Sequence, residues 1–449
     1  MRAATPLLPR KRGPSPYSGP TLFEITTTAS SQVVSFNIIA GSTPNLIVDW
    51  GDGSAEETFV STGTKSHTYA VAGVRTMAMR GSCYGFNFYV TAGQAALTKL
   101  LSPIGQITGL ATAANMFAYC TKLTEIPEGY FANCPAIVDF TQPFGWCTGI
   151  TSIPDTLFCP NPTAAATTFA NLFRGMTNLT GMIPGTLMKG QTQATSCSNW
   201  FNVGSTKMTG IGEGLFADCH KVTSFANCFC VNTGTGTGAF MTTNATMPAT
   251  MFSKTPTAAT TVYTDMFTGC SKLVGTVSST FLENQTQATD LSQMFYATGV
   301  TGIGAGLLDD CVNATSVANM FRASKITNIP ENLFAYCPKI TAYNLCFYAC
   351  TALTSLPASM FPATVTAVTI NLQTMFTGCT NIASSIPATF FNSLANKVSS
   401  VYGLFQNCTQ LDGNHYAFES WTTQPTLKTA CYRGCTALDD IASIPADYL

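Results

Sequence analysis

A chain of 449 residues is too long for a single compact core, so we expect several domains or a solenoid. Hydrophobic residues make up 46% of the sequence and charged residues only 10%, a composition that excludes a disordered chain. The net charge of −1 does not indicate a nucleic-acid binder, and no apolar run approaches the roughly 18 residues of a membrane span.

Residues 1–20 form a basic, proline-rich arm without acidic residues. Its charges are Arg2, Arg10, Lys11 and Arg12, and its prolines are incompatible with a helix or a central strand. The arm does not resemble a signal peptide, because its apolar part is two leucines between prolines. We therefore expect synthesis in a cytosol without export, and docking of the arm on another protein or a second copy. The alternatives are that the arm is a flexible tail or that it binds nucleic acid weakly.

Residues 21–92 alternate apolar and polar side chains, which is typical of β-strands. The clearest runs are residues 33–39 and 46–50, and a Gly-Asp-Gly turn follows at 51–53. A later run, residues 66–77, alternates in the same way. We predict that this segment is a separate β-domain in front of the rest of the chain.

The motifs VDWGDGS and HTYAVAGVRTM in this segment resemble the PKD (polycystic kidney disease) domain. The resemblance implies an immunoglobulin-like β-sandwich, a spacer or weak binding module, with Trp50 in its core. It also implies that His67 is a strand residue bonded across the fold, not a ligand. The sequence departs from the family at Val74, where an aromatic residue is usual. Asp49 and Asp52 lack the spacing of a calcium loop, so we predict no metal here.

A repeat occupies residues 111–449, and residues 93–110 are expected to connect to it as a capping half-coil. Aromatic residues mark the repeat at intervals of 26–29 positions, with one gap of 38. We call these twelve residues the aromatic ladder: Phe117, Phe144, Phe173, Phe201, Phe229, Phe267, Phe295, Phe321, Phe347, Phe376, Phe405 and Tyr432. A fixed period of this length indicates an array whose units bury their apolar face only against neighbours.

Each repeat unit divides into two similar halves, because a second aromatic or leucine follows 13–15 residues later in most units. The spacing of Phe117, Cys120 and Leu123 predicts a short helical or 3₁₀ turn. The alternating residues that follow predict a brief strand, and Pro127 predicts a corner. We therefore predict a mainly β chain with short helical turns, in which about twelve coils stack their strands in parallel.

Residues 329–337 and 353–357 resemble the BspA-like leucine-rich repeats of gut-bacterial and mycoplasma surface proteins. They read Ile-Pro-Glu-Asn-Leu-Phe-Ala-Tyr-Cys and Leu-Thr-Ser-Leu-Pro. The resemblance covers about three quarters of the chain. It implies a leucine-rich-repeat-like solenoid and, for function, an adhesion or recognition surface.

Most of the eighteen cysteines recur at one position of the repeat, three residues after an aromatic. Equivalent positions hold residues such as Met176 and Thr298, so we interpret cysteine there as a reduced, small, buried residue chosen for its size. Pairs such as Cys346 and Cys350 have no histidine or second pair nearby, and we predict no metal site.

An insertion at residues 231–247 accounts for the long interval in the repeat, and glycine and threonine alternate in it. Insertions in solenoids often collect on the binding face, so Thr235, Thr237 and Phe240 are candidate ligand contacts. A tolerated surface loop is the alternative.

Exposed tryptophans are natural platforms for sugar rings. Trp146 follows Phe144 of the ladder by two residues and is a candidate for such a platform. Trp421 lies in a degenerate unit near the end of the repeat and is a second candidate. Trp200 stands directly before a ladder aromatic, so we predict that it belongs to the core.

No catalytic signature occurs in the sequence, which has only three histidines, and we predict a non-catalytic protein without cofactors. The absence of an export signal favours a virion component of a bacteriophage of gut bacteria, assembled in the host cytoplasm. In this hypothesis the arm binds other virion proteins, the chain is present in several copies, and the solenoid binds a host glycan or protein. The alternative is a bacterial cell-surface adhesin, and a carbohydrate-active enzyme or accessory protein is a third possibility. We predict neither nucleic-acid binding nor membrane insertion.

Overall fold

The computed structural model describes residues 17–160, 167–202, 207–230, 241, 243–259, 261–413, 418, 421–439 and 441–449. The predicted arm residues Arg2, Arg10, Lys11 and Arg12, and the insertion residues Thr235, Thr237 and Phe240, lie outside these ranges. The described residues are mainly β-structure with very few helices, and most of them build a β-solenoid of about 11 turns. The prediction of a mainly β solenoid is therefore confirmed.

The N-terminal part of the chain forms two β-sheets. Its elements are β1 (Thr21–Thr27), β2 (Gln32–Ile38), β3 (Asn45–Asp49), β4 (Glu57–Phe59), β5 (Gly63–Tyr69), β6 (Gly73–Ser82), β7 (Phe86–Asn87), α1 (Thr91–Gln94), β8 (Leu97–Leu100) and β9 (Ile107–Thr108). One sheet has the order β4-β3-β6-β1-β8, with β9 parallel to β6, and the other has the order β5-β2-β7. Apart from β9, neighbouring strands of these two sheets run antiparallel.

Aromatic side chains from both sheets meet in one core. Phe23 on β1 contacts Phe86 on β7, with ring centroids 6.1 Å apart, and Phe36 on β2 lies 5.9 Å from Trp50. Trp50 is fully buried, as predicted, and its indole N–H donates to Glu57 at 2.9 Å. The alternation seen in the sequence therefore corresponds to strands with one face in this core.

Parallel β-bridges connect each coil of the solenoid to the next. Its strands are β10 (Thr167–Thr168), β11 (Thr180–Ile183), β12 (Ala194–Ser196), β13 (Lys207–Ile211), β14 (Ala245–Thr246), β15 (Thr261–Val262), β16 (Leu273–Val277), β17 (Ala288–Asp290), β18 (Gly299–Ile303), β19 (Ile370–Asn371) and β20 (Val398–Ser400). All paired solenoid strands are parallel, as predicted. The residue five positions before each ladder aromatic bridges to its equivalent in the next coil, from Thr112 to Leu427.

The aromatic ladder is a continuous stack of rings inside the solenoid. Successive rings have centroids 5.2–6.5 Å apart and interplanar angles of 2–23°. Phe229 and Phe267, on either side of the 38-residue interval, stack at 5.2 Å like the other pairs. The long interval therefore leaves the coil spacing unchanged.

Around the ladder aromatics whose turns the structure describes, the chain forms hydrogen-bonded turns and no continuous helix, so of the two predicted forms the short helix is wrong. Cys350 N–H donates to Phe347 at 3.1 Å, the single bond expected of a 3₁₀ turn. However, Leu345 and Ala349 on either side of Phe347 have φ values of 60° and 56°, and left-handed residues interrupt a helix. Their N–H groups donate to the next coil instead, as Ala349 does to Thr377 at 2.8 Å. The backbone bonds of the turn therefore run partly within the turn and partly to the next coil.

All eighteen cysteines lie within the described residues and are free, and all but Cys159 are buried. Six thiols donate to the carbonyl of a ladder aromatic in the preceding coil: Cys147, Cys270, Cys350, Cys379, Cys408 and Cys435. Burial raises the pKa of Cys350 to about 12, so this thiol keeps the proton that it donates to Phe321 at 3.0 Å. In these six coils the cysteine is thus a hydrogen-bond donor as well as a small buried residue, a role that the interpretation by size alone missed.

Three glutamates at one corner of the coil, which we call the glutamate corner, connect neighbouring coils by hydrogen bonds: Glu128, Glu213 and Glu331. Glu331 accepts the backbone N–H groups of Ala358 and Ser359 and the Ser359 hydroxyl at 2.7–2.8 Å. Glu128 and Glu213 bind the next coil in the same way. The backbone bonds from Ala358 and Ser359 lower the pKa of Glu331 below its ordinary value. Glu331 is thus a structural acceptor at neutral pH.

Both ends of the solenoid are covered. At the first coil, Phe88 stacks on Phe117 at 6.1 Å, and Thr98 on β8 accepts the N–H of Thr124 at 3.1 Å. At the last coil, Tyr448 is fully buried and stacks on Phe418 at 5.9 Å. Terminal caps of this kind keep the apolar interior of an array from water. Short 3₁₀ helices occur at Asn392–Leu394, Ile441–Ser443 and Ala446–Tyr448, and the helices of the described residues are all too short to reach across a bilayer.

Candidate ligand-binding surface

One surface position of the repeat is exceptional in the first two coils. It lies two residues after the ladder aromatic, where the backbone is left-handed in every coil that the structure describes there. The later coils described there carry small residues or asparagine at this position: Gly175, Gly269, Ala297, Ala323, Ala349, Gly378, Asn407 and Gly434. The first two coils carry Tyr119 and Trp146 instead, each with φ of 63°. A left-handed conformation at a residue with a bulky side chain costs roughly 1–2 kcal/mol.

Tyr89, Tyr119 and Trp146 form a row of rings on the surface, which we call the aromatic strip. The Tyr89 and Tyr119 centroids are 5.6 Å apart, and those of Tyr119 and Trp146 are 5.7 Å apart at an angle of 13°. Tyr89 is 48% exposed and Tyr119 39%, and Trp146 is partly exposed. The indole lies against Gly175 of the next coil, where a Cβ atom would be only 2.5 Å from the ring. The glycine therefore makes room for the tryptophan.

A polar depression of about 300 Å³ adjoins the strip. Tyr89 and Tyr119 line it together with Val90, Thr91 and Gln94. The Gln94 Nε2 donates a long hydrogen bond to the Ala118 carbonyl at 3.4 Å. The Gln94 Oε1 and the Thr91 hydroxyl are further groups that can form hydrogen bonds with a ligand. Exposed ring faces beside an amide and a hydroxyl suit a ligand that is apolar on its faces and polar at its rim.

The structure places the two predicted tryptophan platforms differently. Trp146 belongs to the strip, but Trp421 is only 6% exposed and packs edge-on against Phe418 at 5.0 Å, so its ring presents no open face. Trp200 is fully buried, as predicted. Tyr89 and Tyr119 were missed by sequence reasoning. The available signal was an aromatic two positions after the ladder in consecutive coils, as in Phe-Ala-Tyr and Phe-Gly-Trp.

His67 lies on β5 and is bonded across the N-terminal fold, as predicted. Its Nε2 is 2.8 Å from Asp52, and its ring stacks on Trp50 at 4.9 Å. Hydrogen bonds from Ser54 and then from His67 hold the pKa of Asp52 well below its ordinary value. These contacts fix the Gly-Asp-Gly turn onto the strand. Among the described residues, no three His, Cys, Asp or Glu side chains are grouped as a metal site.

Another depression, of about 810 Å³, lies at the glutamate corner of the later coils. Tyr336, which is 59% exposed, lines it with Asp309 and Glu331. All three acceptor bonds of Glu331 go to the next coil, so this carboxylate is committed to the fold. The depression lacks the row of stacked rings that distinguishes the aromatic strip.

Comparison with known proteins gives no family for this chain. No protein-family model matches the sequence, and a search of curated proteins finds no significant match. The functional interpretation therefore depends on the residues and geometry described above.

Proposed function

We propose that this chain is a non-catalytic recognition protein that binds its ligand through the aromatic strip. The observation that carries the proposal is the left-handed backbone at Tyr119 and Trp146, where the later coils that the structure describes carry glycine, alanine or asparagine. In the two remaining coils the sequence has valine at this position, Val203 and Val231, and no other coil has an aromatic there. Glycine or alanine meets the same backbone requirement in other coils without presenting a ring to solvent, so we attribute the two exposed aromatic side chains to binding. Conformational strain of this kind concentrates at binding sites.

The solenoid supplies a rigid support for the strip. Two of its three rings belong to coils whose backbone is bonded to the next coil: the Tyr119 N–H donates to the Gly145 carbonyl at 2.7 Å and the Trp146 N–H to the Arg174 carbonyl at 2.7 Å. A fixed platform loses little conformational entropy on binding, which favours affinity. We assign the coils to the leucine-rich-repeat type and residues 21–92 to the immunoglobulin-like type as part of this proposal.

The test is binding of the purified chain to bacterial capsular polysaccharides by affinity electrophoresis in native gels. We expect retardation of the wild type, and at least about tenfold weaker binding for Trp146→Gly, because the largest ring of the platform is removed. Glycine is already accepted at this position in other coils, so the free energy of unfolding should change by less than about 1 kcal/mol. Unchanged binding of the variant, or no binding of the wild type to any polymer in the panel, would overturn the proposal.

We further propose that the protein is part of a bacteriophage virion and is attached by its N-terminal arm. The root of the arm is fixed to the body: Asn133 donates to the Tyr17 carbonyl at 3.0 Å, and Gln106 donates to the Ser18 carbonyl at 2.9 Å. A partner that binds residues 1–16 would therefore be attached to the chain next to this fixed point. The basic charges of the arm suit an acidic surface on that partner.

Mass spectrometry of density-purified phage particles tests the virion proposal. We expect peptides of this chain in the particles, in several copies, and their loss when residues 1–16 are deleted. The deletion leaves the anchored residues Tyr17 and Ser18 in place, so folding of the body serves as the control. Absence from purified particles, with the protein found on the bacterial surface instead, would favour the adhesin alternative.

A further inference from the structure

Arg322 is held between two tyrosine rings on the surface of the solenoid. Its guanidinium carbon lies 5.2 Å from the centroid of Tyr296 and 4.8 Å from that of Tyr348. The three residues occupy one position, directly after the ladder aromatic, in three consecutive coils. Cation–π contacts with a ring in each neighbouring coil hold the guanidinium in place.

The donors of this arginine are largely unused. One terminal nitrogen donates to Asn319 at 3.1 Å. Among the described residues, no carboxylate oxygen lies within 4.0 Å of the Arg322 guanidinium. Arg80, by contrast, uses both terminal nitrogens on the two oxygens of Glu56, each at 2.7 Å. The Arg322 side chain is thus oriented for an acceptor that the described part of the protein does not provide.

We propose that Tyr296, Arg322 and Tyr348 form a binding site for a carboxylate on a sugar, so that the recognised ligand is an acidic polysaccharide. A guanidinium fork matches a carboxylate with two parallel hydrogen bonds. The flanking rings offer apolar surface to the sugar that carries the carboxylate. A single arginine on a weakly acidic chain does not suit the dense charge of a nucleic acid.

This proposal rests on the proposed function and extends it to the later coils. The arginine site and the aromatic strip both lie on the turns around the ladder aromatics, six coils apart from Phe144 to Phe321. At about 4.8 Å per coil, the separation is roughly 30 Å. A ligand that reaches both sites must therefore be a polymer.

Polygalacturonate and its carboxyl-reduced form are the probes, compared by affinity electrophoresis of the full chain. We expect the wild type to bind the acidic polymer at least about tenfold more tightly, and Arg322→Gln to lose that preference. Arg433→Gln is the matched control, because Arg433 has the same repeat position four coils later and is exposed. This variant should bind like the wild type. Arg322→Lys, which keeps the charge but not the fork, should bind with intermediate strength.

The outcomes separate this inference from the proposed function. Both proposals are supported if Trp146→Gly loses binding to both polymers, whereas Arg322→Gln loses only the preference for the acidic polymer. Equal binding of the two polymers by the wild type, or an unchanged preference in Arg322→Gln, overturns the arginine site and leaves the strip standing. Failure of the wild type to bind polygalacturonate also overturns it. Binding of single-stranded DNA that depends on Arg322 would assign the site to a nucleic acid and overturn the carboxylate assignment.

Discussion

Replacing Phe347 by alanine is expected to lower the free energy of unfolding by about 3–5 kcal/mol, the range for a large aromatic removed from a core. Phe347 is completely buried and stacks on Phe321 at 5.7 Å and on Phe376 at 5.5 Å, almost parallel to both. Removing the ring leaves a cavity and breaks two stacked pairs, each worth about 0.5–1.5 kcal/mol beyond the buried area. Urea unfolding followed by circular dichroism measures the change.

The effect should spread to both neighbouring coils, because units of such an array are stable only through their interfaces. Hydrogen exchange should therefore show reduced protection in the coils of Phe321 and Phe376 as well. Tyr336→Ala is the control, since this ring is 59% exposed and its loss should change stability by no more than about 0.5 kcal/mol. If the free energy of unfolding of the Phe347→Ala variant is within about 1 kcal/mol of the wild type, the stacked rings of the ladder do not stabilise the solenoid as argued.

The register of the ladder was predictable because each coil repeats one large apolar residue at nearly constant spacing. The turn around it was not. Leu345 and Thr374, two residues before their ladder aromatics, have φ values of 60° and 52°, although neither residue type favours a left-handed backbone. Bonds between coils impose the conformation, as when Leu345 N–H donates to Gln373 at 3.0 Å. Local propensity contains no information about such partners.

The candidate site was predictable only in part, for a related reason. Trp146 was selected by its position relative to the ladder, and this criterion also applies to Tyr119, which was overlooked. Trp421 was selected by residue type alone. It is buried against Phe418, and its carbonyl accepts the Gln424 amide at 2.9 Å. Whether an aromatic side chain is exposed thus depends on its place in the coil, which the degenerate last units no longer reveal.

The second large effect is expected from Gly51→Ala in the Gly-Asp-Gly turn, which should destabilise the protein by more than about 3 kcal/mol. Gly51 has φ of 75°, and a Cβ atom there would lie 2.1 Å from the backbone carbonyl oxygen of Thr76 on β6. This oxygen belongs to a central strand and cannot move aside like the end of a flexible side chain. The turn must therefore separate from the sheet, which disturbs Trp50 in the core. Thermal and urea unfolding measure the loss.

Gly53→Ala in the same turn separates steric overlap from backbone strain. Gly53 has φ of 85°, but no atom lies within 4 Å of the place where its Cβ would be. The substitution then adds only the strain of a left-handed alanine, about 1 kcal/mol. If both variants lose the same stability, steric overlap with Thr76 is not the reason that position 51 requires glycine. If Gly51→Ala alone unfolds the N-terminal sheets, close approach of two backbones is the reason that glycine follows Trp50.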